Sequence, residues 1–288
     1  EMNKYGPGRP PPGFRPSPVG RAEAEEMGSG FAVGEGEVSS PSGGSLAAAL
    51  AEFSVTAAFA RDYPADACRK FSRDGLLHVQ GVLPCTTAEA LRLHVEASLA
   101  ERRGSGGAEW FGDVYGYEDK GKRFDMKLVL GTEAKASLRL LLENVHGLLE
   151  VHRPSWKLTE LAAMCTMPGD PGQPVHADTS HIYDQQTITI FVALHDIGET
   201  RGPTRMYPRT HEDGSVHMGF TQVDEADSVL CTMACGDCVI MDSRLLHCGT
   251  ANTSTSDRFL FYNSWTQPGR RSRGSTNTLL EDYEDRFS

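Results

Sequence analysis

The chain has 288 residues, of which 39% are hydrophobic and 23% charged, with a formal net charge of −11 at pH 7. That profile is typical of a soluble globular protein, long enough for one large β domain or two small ones. No run approaches the roughly 18 apolar residues of a membrane span, and an acidic chain lacks the basic surface that non-specific nucleic-acid binding needs, so neither a membrane nor a nucleic acid is an expected partner. Seven cysteines form no small-domain framework, which points to reduced thiols and an intracellular, cytoplasmic setting.

Residues 1–44 crowd Pro and Gly (Pro10, Pro11, Pro12, Gly43, Gly44) with almost no apolar periodicity. They read as a disordered or extended leader. Glu23, Glu25 and Glu26 argue against an organelle transit peptide, which is poor in acids. A single domain is expected over 45–268, with helical support over 45–150 and a β-rich core over 157–266. The Ala-rich run from Leu46 to Ala60, capped by Ser45, predicts a helix. A second helix is expected over Asp66–Ser72, ended by Gly75, and then a strand over Leu76–Val82. Thr86 and Glu89 have capping-box spacing, and Leu91, Val95 and Leu99 follow at helical spacing toward a core.

Residues 102–122 turn Gly-rich and carry Trp110, Phe111, Tyr115 and Tyr117. Aromatics in such a loop cover a binding cleft or pin the loop to a sheet, and Trp110 and Tyr117 are the candidate substrate contacts. Arg123, Asp125 and Lys127 alternate with apolar residues, so one strand face carries the charges. Lys127 on that face is either a partner for a carboxylate or a solvated edge-strand lysine. A helix over Glu133–Leu149 should bury Leu138, Leu141, Leu142, Val145 and Leu149.

A strand over Leu158–Met167 and a Pro/Gly-rich loop over Pro168–Pro174 lead into His176-Ala177-Asp178. On an extended strand, residues i and i+2 point the same way. His176 and Asp178 can therefore face one metal with Ala177 turned away. Two imidazoles and one carboxylate on one face of a metal make the facial triad of non-heme iron(II) oxygenases, which keeps open positions. The third ligand must come from another strand, and His247 lies far downstream in Leu245–Thr250. A His-x-Asp pair alone arises by chance, and a lone strand histidine is usually a hydrogen-bonded one. His181, His195, His211 and His217 are rivals; His181, the nearest, is a substrate-pocket candidate or a loop histidine bonded to backbone.

Thr187–Leu194 is a β-branched strand containing Thr189 and Phe191. Short strands follow over 228–233, 238–241, 245–247 and 258–265, with turns at Cys235–Asp237 and Asp242–Arg244. Many short strands with frequent turns predict a jelly-roll, cupin-like sandwich. Cys231, Cys235 and Cys238 have part of a zinc pattern but no fourth ligand at suitable spacing. Arg258, eleven residues after His247, offers a planar fork that matches a carboxylate, or is a surface arginine opening a strand. The segment 269–288 is polar, and its charges read as solvated.

His176-Ala177-Asp178, then Gly202–His211, then Gly236–Asp242, then His247 and Arg258 resemble, in that order, the phytanoyl-CoA dioxygenase family, over roughly residues 71–265. The resemblance implies a mainly β protein, a double-stranded β-helix with flanking α-helices. It implies Fe(2+) on His176, Asp178 and His247, 2-oxoglutarate as co-substrate with its distal carboxylate on Arg258, and O2 as oxidant. Lys127, Thr189 and Phe191 are further candidate cofactor contacts; Arg205 joins Trp110, Tyr117 and His181 as a candidate substrate contact. The implied reaction is oxidation, by hydroxylation, of a C–H bond of a small organic molecule with release of succinate and CO2. Halogenating relatives replace the carboxylate of the triad with a small residue, so Asp178 favours hydroxylation or another C–H oxidation. Two positions depart from the family pattern: the usual Pro-Gly-Ser/Thr-His reads Pro208-Arg209-Thr210-His211, and a Ser found two residues after the Arg in some related oxygenases is Leu260. A cupin-like metalloenzyme without 2-oxoglutarate, which has no use for Arg258, and a non-catalytic binding protein with a relic metal site stay open.

Overall fold

Strand residues alternate between two faces, and the alternation along this chain separates two apolar clusters with a sheet between them. The computed structural model describes residues 49–105, 110–112, 114, 121–179, 187–214 and 223–267. By its contacts the chain divides into residues 1–40 and 41–288, and every described residue belongs to the second unit. The expected leader and C-terminal tail, and the substrate candidates Tyr117 and His181, lie outside the described residues.

The large sheet has eight strands: β1 (Ser54–Thr56), β2 (Leu76–Gln80), β3 (Phe111–Gly112), β4 (Arg123–Lys127), β5 (Lys157–Thr166), β6 (Thr187–Ala193), β9 (Cys238–Asp242) and β11 (Arg258–Thr266). Their order is β1-β2-β9-β6-β11-β5-β4-β3, antiparallel except for the β1–β2 pair. A smaller sheet stacks β10 (His247–Gly249), β7 (Thr204–Met206) and β8 (Val229–Cys231), all antiparallel. This is the jelly-roll architecture expected from the strand pattern.

On β6, Ile188, Ile190 and Val192 join the cluster built with four helices, α1 (Ala57–Asp62), α2 (Pro64–Asp74), α3 (Cys85–Ser105) and α4 (Thr132–His152). Phe71, Leu91, Val95, Leu138, Leu141 and Leu149 supply the helical side of it. Phe191 and Ala193 turn the other way, toward Met206, Val229 and Cys231 of the small sheet. Burial on both faces explains the apolar runs Ile190–Ala193 of β6 and Phe259–Tyr262 of β11. No helix among the described residues is long and apolar enough to cross a membrane.

Four local expectations are corrected. The helix expected over 46–60 is broken: residues 49–51 are helical, but Ser54–Thr56 pair in parallel with His78–Gln80. Val55 and Thr56 are β-branched and suit the strand, and Thr56 Oγ1 then accepts the Phe59 N–H at 3.1 Å as the cap of α1. Thr86 is not a cap, because α3 begins at Cys85 and the Pro84 carbonyl accepts from the Thr87 and Ala88 N–H groups. The strand expected over 245–247 begins at His247 instead. The expectation of seven reduced thiols fails at one pair, since Cys85 and Cys235 form a disulfide with Cα atoms 5.5 Å apart, a separation that suits the bond. The fold brings them together by seating the entry to α3 on the β8–β9 turn. A Cβ on Gly236 would lie 2.1 Å from the Leu83 carbonyl oxygen, so only glycine permits that approach.

Candidate active site

The loop over 168–174 lays residues 173–176 against β10. The Gln173 N–H donates to the Gly249 carbonyl at 2.8 Å, and His176 and His247 exchange both backbone hydrogen bonds at 2.9 and 2.8 Å. Directly opposed residues on antiparallel strands project their side chains together, and the two imidazole centroids are 4.5 Å apart. Asp178, two residues on, places Oδ1 3.7 Å from His176 Nε2 and 3.6 Å from His247 Nε2. The ligand atoms of the three residues all lie within 4.8 Å of one another, the one such His/Cys/Asp/Glu group among the described residues.

Both rings are oriented by backbone. His176 Nδ1 donates to the Pro174 carbonyl at 2.9 Å and His247 Nδ1 to the Leu245 carbonyl at 3.0 Å. With the proton on Nδ1, Nε2 is the ring nitrogen that a metal would take. Burial, and then the neighbouring His247, pull the His176 pKa down to about 4, so the ring is neutral at pH 7. Asp178 is half-buried and completes a donor set of two nitrogens and one carboxylate oxygen.

The segment before His247 is fixed by the Pro208–His211 motif. The Tyr207 N–H donates to the Leu246 carbonyl at 3.0 Å. The Thr210 hydroxyl accepts from the Leu246 N–H at 3.0 Å and donates to the Tyr207 carbonyl at 2.8 Å. Arg209 has φ 70°, in the left-handed region that favours glycine, which explains the glycine usual there. Its Nε–H donates to Asp74 Oδ1 at 3.0 Å, offsetting part of the strain.

Arg258 opens β11 and is 1% exposed. Its Nη1 donates to the Gly202 carbonyl and its Nη2 to Thr166 Oγ1 at 3.0 Å, while its buried Nε–H has no partner among the described residues. No carboxylate forms an ion pair with it among the described residues. Burial, reinforced by the nearby Arg123 guanidinium, pulls its pKa down to about 9. A cation so placed favours an anion beside it.

Arg258, His176, Asp178 and His247 line one cavity between the two sheets. Thr189 and Phe191, the sequence candidates on β6, also line it. Thr189 Oγ1 is bonded to the Ser243 and Ser264 hydroxyls at 3.2 and 3.0 Å, and the Phe191 ring lies 5.8 Å from that of Tyr262. Leu260 puts an apolar side chain where some related oxygenases have serine. Cys248 faces away from the cavity, as the strand alternation requires.

Three other candidates do not line the cavity. Lys127 shares the charged face of β4 but lies beyond the lining. Trp110 stacks under Arg102 at 4.0 Å. Arg205 is on the opposite face of β7 from Thr204 and pairs with Glu225 and Ser228. The charged and phenolic residues that do line it, unforeseen as such, include Arg123, Asp125, Glu160 and Tyr262. The Tyr262 hydroxyl donates to Asp125 Oδ1 at 2.7 Å. One signal was in the sequence: the charges of β4 alternate with apolar residues, and Glu160 is the single charge between Leu158 and Thr166. The expected rival His195 is a structural link. Its Nδ1 donates to the Asp196 carbonyl and its Nε2 accepts from the Phe259 N–H, both at 2.9 Å.

The family model for phytanoyl-CoA dioxygenase matches residues 71–260. The chain belongs to the phytanoyl-CoA dioxygenase family. It is thereby an enzyme of the iron- and 2-oxoglutarate-dependent class. Its fold is shared with the carbocyclase SnoK of nogalamycin biosynthesis, described as non-heme and alpha-ketoglutarate-dependent, at 19% identity and a TM-score of 0.55 over 73% of this chain and 87% of that one. It is shared with the epimerase SnoN, solved with Fe3+, alpha-ketoglutarate and nogalamycin RO, at 18% identity and a TM-score of 0.52 over 75% and 94%. AviO1 from Streptomyces viridochromogenes Tue57 aligns at 19% identity and a TM-score of 0.55 over 72% and 96%. No curated protein matches the chain in sequence.

Proposed function

We propose that this member of the phytanoyl-CoA dioxygenase family hydroxylates a C–H bond of a small organic molecule, converting 2-oxoglutarate to succinate and CO2, in a single domain over residues 45–268. The observation that carries the reading is the buried Arg258 cation in the same cavity as the His176, Asp178 and His247 cluster. A metal site alone would serve many cupin-like enzymes. A buried guanidinium that lines that cavity, its Nε–H without a partner among the described residues, fits a ligand that carries its own carboxylate.

The residues present fit iron. Two imidazoles whose Nε2 atoms lie 3.7 and 3.6 Å from Asp178 Oδ1, together with that carboxylate, match the preference of iron(II) for a mixed nitrogen and oxygen face. When bound, the metal supplies the redox chemistry that couples decarboxylation of the keto acid to oxidation of the substrate by O2. The chain's own residues bind, orient and exclude water. Pro174 and Leu245 carbonyls hold the two rings in register. Arg258, oriented by Thr166 and Gly202, takes the distal carboxylate of 2-oxoglutarate. Phe191, Met164 and Leu260 provide apolar walls, which strengthen these electrostatic contacts by excluding water. Asp125, Glu160 and Tyr262 give the cavity a polar wall, suited to a substrate bearing hydrogen-bonding groups. SnoN, with its bound nogalamycin RO, provides a precedent on this fold for a small-molecule substrate.

The test is an anaerobic titration with iron(II) and then 2-oxoglutarate, followed by the visible charge-transfer band of the chelate. The band is expected in the wild type, and Asp178→Ala should abolish both it and succinate formation. Iron binding with no band on adding 2-oxoglutarate, or near-normal turnover in Asp178→Ala, would overturn the reading.

A further inference from the structure

Arg123 is nearly as buried as Arg258, at 2% exposed, and lines the same cavity. Arg123 pairs across the sheet with Thr166, and Thr166 pairs with Arg258, so two buried guanidiniums stand in one cross-strand row. Their surroundings differ. Arg123 grips the buried Asp170, with Nη2 2.6 Å from Oδ1 and Nε 3.2 Å from Oδ2. Its Nη1 donates to Gln173 Oε1 at 2.9 Å, and its Nη2 also reaches the Thr250 carbonyl at 3.3 Å. Gln173 Oε1 accepts in turn from the Gly249 N–H at 3.2 Å.

One planar group therefore touches two chain segments. Asp170 and Gln173 belong to the loop that leads into His176. Gly249 and Thr250 lie two and three residues after His247. The contact is close: a Cβ on Gly249 would lie 2.0 Å from Arg123 Nη1 and 2.9 Å from Gln173 Oε1. The guanidinium fills the space that glycine leaves. A fork with five fixed donors can join several acceptors in a set geometry, which a lysine cannot do. A buried ion pair contributes little net stability, and its best-attested use is to fix one arrangement among several.

We propose that Arg123, with Asp170 and Gln173, is a positioning clamp that fixes the two segments presenting His176 and His247 and so sets the affinity and geometry of the metal centre without touching the metal. The inference rests on the triad reading given under the proposed function. Groups that orient metal ligands from outside typically change metal affinity by about 10–100-fold when removed.

The experiment uses cobalt(II) with the full chain and reads the binding isotherm, the visible ligand-field bands and the thermal melt. Gln173→Ala removes one arm of the clamp. Gly249→Ala keeps both charges and displaces the guanidinium. Arg123→Met with Asp170→Asn removes both charges together, since Arg123→Met alone would strand a buried carboxylate, and gives the same reading if either single variant does not fold. Binding weakened about 10–100-fold, with altered bands and a melt close to the wild type's, is expected. Unchanged affinity and bands in folded variants overturn the clamp. His176→Ala separates the two readings. If it loses cobalt(II) while the clamp variants bind normally, the clamp alone fails; if it binds cobalt(II) as the wild type does, the triad fails and the clamp with it.

Discussion

Replacing Arg258 with methionine should have opposite effects on the empty protein and on co-substrate binding. A pKa drawn from the ordinary arginine range down to about 9 in a group that is 1% exposed corresponds to on the order of 5 kcal/mol of unfavourable burial. Methionine keeps much of the apolar stem and removes that cost. Against it stand the two lost hydrogen bonds, to Gly202 and Thr166, at about 1–3 kcal/mol for each acceptor left unsatisfied. The two sums nearly cancel, so Arg258→Met should melt near or slightly above the wild type without ligand. With nickel(II) and 2-oxoglutarate the balance reverses. Ligand at 100 times its Kd stabilises by about 2.7 kcal/mol, which in a domain of this size is roughly 5–10 °C. The variant should show almost none of that increment, because losing one partner of a buried charge pair costs about 2–5 kcal/mol of binding. The assay is a melting curve with metal, with and without 2-oxoglutarate. A fall of many degrees in the ligand-free variant would show that the cation is already compensated. A wild-type increment in Arg258→Met would show that the carboxylate binds elsewhere.

The Cys85–Cys235 disulfide spans 150 residues, and removing such a cross-link typically costs about 2–4 kcal/mol through the unfolded chain. Cys85→Ser, or reductant, should lower the denaturation midpoint and leave metal affinity unchanged; an unmoved midpoint would contradict it. Stability of the metal-free protein should fall as pH drops from about 6.5 toward 4. His176 and His195 have folded pKa values lowered to about 4, chiefly by burial, so the unfolded chain binds more protons in that window. His195→Gln can keep both hydrogen bonds and should flatten the slope of urea midpoint against pH between 7.5 and 5; an unchanged slope would place the linkage elsewhere.

Much of the site was legible because its chemistry is local. The His-x-Asp spacing does bring His176 and Asp178 together, although His176 forms only an isolated bridge to His247 and residues 177–178 are not in a strand. The β-branched run of β6 and the helical spacing of Leu91, Val95 and Leu99 are equally local, and all three leucine-row positions are buried. Errors arose where a distant partner decided. Ser54–Thr56 lie beside an alanine-rich run, yet they form a strand because His78–Gln80 offer a sheet edge. Arg205 has the right chemistry for a substrate contact, but β7 turns it away from the cavity and Glu225 takes it.

The sequence by itself determined the jelly-roll class and marked out the residues of the candidate metal centre and the arginine proposed for a carboxylate, since each follows from side-chain chemistry and short periodicities. Only the tertiary structure decided that Cys85 meets Cys235, and that Arg123 joins Asp170 and Gln173 to the strand of His247. It also decided that Asp125 and Glu160 face the cavity, while Lys127 does not line it. Those outcomes depend on which strands pair and in what register. That is fixed by contacts between residues far apart in the chain, which no local pattern encodes.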